Sequence, residues 1–161
     1  MPVPDFVLEL RRYVGTAPLW LPGVTAVVLR ADPVPSVLLV QRSDTGEWSP
    51  VTGIVDPGED PGVTARREVL EEAGVEVTVD RLAWVQALPP TTHVNGDRAT
   101  YLDHTFACSW VAGEGEVGDD ESLAVRWCPV DELDGVTDLR PSYRERIEQV
   151  LLGDPVTRFT R

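Results

Sequence analysis

Cysteine is scarce. Cys108 and Cys128 are the only two in the chain, in the apolar, strand-like contexts TFACSW and VRWCPV, and they lack metal-ligand spacing. Such a pair makes neither a disulfide framework nor a zinc site, so both are expected as buried free thiols. No apolar run approaches the roughly 18 residues of a membrane span, and the N-terminus has neither a basic leader nor a small-residue cleavage site. These absences argue against a membrane protein and lead us to expect a cytoplasmic one. Basic residues are also few. Lys+Arg 14 against Asp+Glu 27 gives a net charge of −13, which opposes binding of DNA or RNA through a broad basic surface. A nucleotide is not excluded, because a bound metal ion outweighs surrounding acid locally.

At 161 residues the chain is one domain, residues 1–161, able to bury roughly 68 to 70% of its unfolded surface and to fold without staples. Pro4 to Val14 carries Phe6, Val7, Leu10, Tyr13 and Val14 at helical spacing, with Asp5 near its start and Gly15 after it. Val24 to Leu29 and Val37 to Val40 are β-branched and aliphatic runs parted by the proline-bearing ADPVPS, which reads as two strands and a loop. Val75 to Leu88 is a further strand, stopped by Pro89-Pro90, and Asn95-Gly96 in the next polar stretch predicts a hairpin with a type I′ turn. Thr100 to Val111 and Ser122 to Val130 supply the last strands, with the acidic loop GEGEVGDDE between them. Pro141 to Leu152 predicts a closing helix with Ile147, Val150 and Leu151 inward. Strands on both sides of a central helix suggest a mixed sheet packed between helices.

The most informative segment is Gly53 to Val75, GIVDPGEDPGVTARREVLEEAGV. Its last third reads as helix and ends at Gly74, a left-handed C-cap. At about 100° per residue, Glu68, Glu71 and Glu72 fall within a sector roughly 100° wide. Like charges so placed repel by a few tenths of a kcal/mol per pair and call for a compensating cation. A hard divalent ion suits carboxylate oxygens, and Mg2+ binds through a few carboxylates plus the phosphates of a substrate.

The spacing G-x5-E-x7-R-E-U-x-E-E-x-G-U, with U aliphatic, is met at Gly53, Glu59, Arg67, Glu68, Val69, Glu71, Glu72, Gly74 and Val75 without insertion. On these residues the chain resembles the Nudix (MutT-like) hydrolases, and a solvated acidic helix face would leave Gly53, Glu59 and Arg67 as coincidences. The resemblance implies an α/β fold, a Nudix-type α/β/α sandwich with a mixed β-sheet. It also implies Mg2+-dependent, or Mn2+-dependent, hydrolysis of a phosphoanhydride in a nucleoside diphosphate linked to another moiety, such as ADP-ribose or a nucleoside triphosphate. By matching positions it makes Glu68 and Glu72 the main metal ligands, Glu71 a further or water-mediated one, and Gly53 a backbone-carbonyl ligand. Glu59 and Arg67 become a supporting pair that orients the carboxylates. Homodimers are common among such proteins, but nothing in this chain marks an interface.

The general base is open: a glutamate of the helix such as Glu71 or Glu72, or an acidic residue outside it. Glu121 and then Asp120, before the strand SLAVRW, are the outside candidates, and His104 is a third, more in keeping with a structural histidine in a strand. One departure stands out. Many relatives show Trp-x-x-Pro-Gly-Gly before the loop, where this chain has Trp48-Ser49-Pro50-Val51-Thr52-Gly53, and a threonine in place of glycine predicts a different local turn. Pro90, 15 residues past Val75, matches a proline of ADP-ribose pyrophosphatases, but proline also ends strands routinely. Trp20, Trp48, Trp84, Tyr101 and Trp110 are available to stack on a base. The competing function is a nucleotide-binding or sensing module without turnover, which has no need of Glu68, Glu71 and Glu72 together. Isopentenyl diphosphate isomerases share the fold, but no cysteine accompanies the motif here to act as proton donor.

Overall fold

The computed structural model describes residues 3–118 and 122–160. The chain forms helix α1 (Asp5–Val14), strands β1 (Leu19–Arg30), β2 (Ser36–Arg42), β3 (Trp48–Ser49) and β4 (Val51–Ile54), helix α2 (Pro61–Ala73), and strands β5 (Glu76–Ala87), β6 (Thr91–Thr92), β7 (Arg98–Ala112) and β8 (Ser122–Pro129). A short 3-10 turn (Val130–Gly135) and helix α3 (Pro141–Leu151) complete it.

The strands build one mixed sheet. Its main order is β3-β2-β1-β7-β5, with β4 beside β1, β6 beside β7 and β8 beside β2. The pair β1–β7 is parallel over eleven residues, from Leu19↔Ala99 to Leu29↔Ser109; the other pairs are antiparallel. Two strands share the other edge of β1: β4 lies along Gly23 to Ala26 and β2 meets it only at Leu29 and Arg30. That split brings β4, and the loop and helix that follow it, to the middle of the sheet.

Both faces of the sheet are covered, which explains why its central strands read as continuous apolar runs. Val24, Ala26, Val28, Leu38, Val40, Phe106 and Cys108 point to one side, where Ala65, Val69 and Ala73 of α2 close the core. The residues between them, Val27, Val37, Leu39 and Ala107, point to the other, against Ile147 and Val150 of α3 and Leu133 and Val136 near the 3-10 turn. Side-chain alternation along a strand thus splits one apolar run into two cores, and the arrangement is the expected α/β/α sandwich. Cys108 and Cys128 are buried and free, as the sequence predicts, and burial pushes the Cys108 thiol up to about 12. Among the described residues no helix is long and apolar enough to cross a membrane.

Two local expectations are corrected. The turn at Asn95-Gly96 closes the β6–β7 hairpin, but only Gly96 has a positive φ (85°), whereas a type I′ turn needs it at both central residues. The loop instead runs over three residues, closed by the bond from the His93 amide to the Asp97 carbonyl. Leu151 is not inward. It is 37% exposed, because α3 turns Arg146, Ile147, Gln149 and Val150 to the protein instead.

Candidate active site

Helix α2 is launched by Pro61 at its first turn and stopped by Gly74, which adopts the left-handed conformation (φ 61°, ψ 26°) that glycine takes at low cost. The loop before it carries Glu59, and Arg67 reaches back two turns to meet it. Arg67 donates from Nε to Glu59 Oε1 at 3.0 Å and from Nη2 to Glu59 Oε2 at 2.9 Å, while Thr64 Oγ1 donates to Glu59 Oε2 at 2.7 Å. The guanidinium fork, burial opposing it and the Thr64 hydroxyl assisting, holds the Glu59 carboxyl down at about 2. The other edge of the same guanidinium serves the helix: Nη1 donates to Glu68 Oε1 at 2.8 Å and to Glu71 Oε2 at 3.1 Å. Asp56 stands 3.9 Å from Nη2. One cation therefore faces four carboxylates.

The three helix glutamates differ sharply in setting. Glu71 is exposed, but Glu68 is 1% and Glu72 6% exposed. Burial raises the Glu68 carboxyl to about 8; Arg67 opposes this, and the negative charges of Glu72 and Glu71 add to it. Gly53 makes room for that side chain. Its neighbour across the ladder is Val24, and a Cβ built on Gly53 would lie 2.5 Å from Glu68 Cγ and 2.7 Å from Oε1. The glycine at this position is thus required by close approach of Glu68 rather than by its φ. Thr52 sits in extended backbone opposite Thr25, a conformation that threonine adopts without strain.

Among the described residues no three His, Cys, Asp or Glu side chains stand gathered as a finished metal cluster. The donor chemistry nonetheless fits a hard divalent cation. Two nearly buried carboxylates lie four residues apart on one helix, and burial first, then the charges of Glu72 and Glu71, raise the proton affinity of Glu68 against the opposing pull of Arg67.

A cleft of about 890 Å3 runs past this site, with Gly53, Thr52 and Glu72 on one wall and Tyr143 and Arg146 of α3 on another. Arg42 and Tyr101 also line it. Of the aromatic candidates, Trp84 and Tyr101 border the cleft, though Trp84 is buried beneath the Arg158 guanidinium, 4.0 Å from its ring centroid. Trp20 is 60% exposed, Trp48 lies under Arg126 at 4.3 Å, and Trp110 borders a second hollow beside Pro35. His104 bonds the Gly23 carbonyl through Nδ1 at 3.0 Å, a structural contact. Glu121 and Asp120 fall outside the described residues.

Sequence reasoning missed one constellation in the cleft. Asp103 on β7 accepts from Thr25 Oγ1 through Oδ1 and from Thr105 Oγ1 through Oδ2, both at 2.8 Å. Arg146 of α3 places Nε 3.7 Å from the same Oδ2. All four residues are at least nine-tenths buried. The only trace in sequence is an aspartate inside a strand, since the threonines pass as β-formers and the arginine comes from 43 residues away.

The model of the NUDIX domain family matches residues 20–150. A MutT-like protein of Streptomyces ambofaciens is 34% identical over 116 residues, 72% of this chain and 68% of its own length. The dihydroneopterin triphosphate diphosphatase of Escherichia coli (strain K12) is 28% identical over 139 residues, 79% of this chain and 90% of its own. Among solved structures, a NUDIX hydrolase from Nitrosomonas europaea superposes with a TM-score of 0.70 at 26% identity, covering 86% of this chain and 93% of that one.

Proposed function

From the premise that this chain belongs to the Nudix family, we propose that it is a Mg2+-dependent pyrophosphohydrolase, with Mn2+ able to replace Mg2+. Its substrate is a nucleoside diphosphate joined to a further moiety, the class that includes ADP-ribose and nucleoside triphosphates. The observation that carries this reading is the buried Glu68–Glu72 pair beside Gly53, with Glu71 and the Glu59–Arg67 fork next to it. Resemblance to the E. coli dihydroneopterin triphosphate diphosphatase supports a substrate with phosphoanhydrides on a heterocyclic nucleoside-like group. A cytoplasmic setting, with no nucleic-acid partner, belongs to the same reading.

Glu68, Glu72, the Gly53 carbonyl and, at a longer reach or through water, Glu71 would hold the cation. When bound it neutralises phosphate oxygens and lowers the proton affinity of a water. The remaining work falls to the chain. Arg67, fixed by Glu59, whose carboxylate also accepts from Thr64, holds Glu68 and Glu71 from the side so that their oxygens are oriented before the ion arrives. Gly53 lets the backbone of β4 approach Glu68 without a side chain between them. A glutamate of α2, or Glu121, takes the proton of the attacking water. Wide, arginine-bordered space beside Glu72 receives the rest of the substrate.

Mass spectrometry of products tests this. The protein is incubated with ADP-ribose, nucleotide sugars, dinucleotides and nucleoside triphosphates, in Mg2+ and then in EDTA. Cleavage of one compound at a phosphoanhydride, lost in EDTA, is the expected result. No cleavage of any, with a nucleotide still raising the melting temperature, would give the binding-module reading instead.

A further inference from the structure

In the sequence the segment after β7 is only an acidic, glycine-rich connector. In the fold its first six residues lie along the C-terminal end of α2. The last carbonyls of a helix lack intrahelical partners, and Gly74, the local cap, returns its amide only to Leu70. The carbonyls of the last two helix residues are met from 46 and 43 residues away: the Gly118 amide donates to the Glu72 carbonyl at 3.1 Å, and the Glu116 amide to the Ala73 carbonyl at 2.9 Å. The approach is too close for side chains. A Cβ on Gly118 would lie 2.0 Å from the Glu71 carbonyl oxygen, and one on Gly113 2.4 Å from that of Gly74.

The loop is held from its other side as well. Trp110 Nε1 donates to the Gly113 carbonyl at 2.7 Å and Trp127 Nε1 to the Glu114 carbonyl at 2.8 Å. The Arg30 guanidinium, at the end of β1, stacks 4.2 Å from the Trp127 ring centroid and reaches Glu114 Oε2 at 3.6 Å. A connector that merely crosses solvent needs neither the two indole anchors nor the glycines at helix contact.

We propose that residues 113–118 are a remote C-cap that positions the carboxylates of α2, with Trp127 and Gly118 as positioning residues for the metal-binding glutamates. The carbonyl taken by Gly118 belongs to Glu72 itself, so the cap fixes the backbone from which that side chain enters the cleft. Sheet strands β1 and β8, through Arg30 and Trp127, thereby reach the last turn of α2 by way of the loop. The role rests on the hydrolase reading above; the cap does not.

The test uses Trp127→Phe, which removes the indole N–H but keeps a ring under Arg30, and Gly118→Ala, which forces the loop off the helix. Leu133→Ala, in the core on the other face of the sheet, serves as a control for loss of stability alone. Amide hydrogen exchange reads the cap, Mn2+ titration followed by electron paramagnetic resonance reads the site without substrate, and steady-state kinetics separate kcat from KM. Trp127→Phe and Gly118→Ala are both expected to exchange faster at Glu116, Gly118 and the last turn of α2. They should bind Mn2+ about 10-fold or more weakly, as changes to residues that support metal ligands do, with kcat falling and KM within about twofold of wild type. Unaltered exchange overturns the cap. Faster exchange with wild-type Mn2+ binding, or a loss no greater than that of Leu133→Ala at equal melting temperature, overturns the positioning role. A wild type that neither binds Mn2+ nor cleaves any substrate fails the hydrolase reading and the positioning role with it, while exchange still decides the cap.

Discussion

Arg67 and Glu59, eight residues apart, join the motif loop to the motif helix by two nearly parallel bonds of 3.0 and 2.9 Å. The opposite edge of the same guanidinium meets Glu68 and Glu71. Arginine can serve both edges because its donors lie in one rigid plane, which a lysine ammonium cannot reproduce. Arg67→Lys is therefore expected to lower kcat by about 10- to 100-fold while the circular dichroism spectrum stays that of the wild type. Wild-type turnover in that variant would show that the fork does not orient the carboxylates.

Glu72→Gln keeps the volume of a nearly buried side chain and removes its charge. Turnover should fall by orders of magnitude, with the fold retained, because a ligand is lost without a cavity. Kinetics and thermal melting on the same preparation check this, and full activity would remove Glu72 from the site.

Gly53→Ala brings a Cβ to within 2.5 Å of Glu68 Cγ. Either the strand or the glutamate has to give way, at about 1 to 3 kcal/mol for an overpacked interior position. A lowered melting temperature and a large loss of Mn2+ affinity are expected together. A melting temperature and Mn2+ affinity equal to those of the wild type would contradict the close approach.

Glu68 and Glu59 should respond to pH in opposite directions. Glu59 is lowered from 4.5 to about 2, so its contribution to stability is present above 4.5 and is lost as pH falls toward 2. Glu68 is raised from 4.5 to about 8, so its contribution is full below 4.5 and is lost as pH rises through about 8. Without metal, the stability of the wild type relative to Glu68→Gln should fall as pH rises between those values. Urea melts at several pH values in EDTA measure it, and a flat difference would mean that Glu68 titrates normally in the folded protein.

Much of the site could be read in the sequence because it is local. The motif spans 23 residues, and the helical period alone puts Glu68, Glu71 and Glu72 together, while the Glu59–Arg67 bond needs only a loop and two helical turns. Strand centres were equally plain, since a sheet covered on both faces needs unbroken apolar runs such as Val24 to Leu29. Strand ends were not. Leu19 to Gly23 extends β1 because Ala99 to Asp103 of β7 lies parallel beside it, and no local signal carries that pairing. Leu151 was misplaced because a buried arginine, Arg146, occupies the inward face that apolar periodicity assigns to aliphatic residues.

Local order in the chain thus determined the chemistry on offer: which carboxylates share a helix face, which glycine ends that helix, and which arginine can reach them. Tertiary structure decided how strongly each is held. Burial of Glu68 against Gly53, the meeting of Asp103 with Thr25 and Arg146, and the docking of Gly118 on the Glu72 carbonyl all join segments distant in sequence. Desolvation, close backbone approach and charge pairing depend on distances in space, and only the folded sheet with its two helix layers sets those.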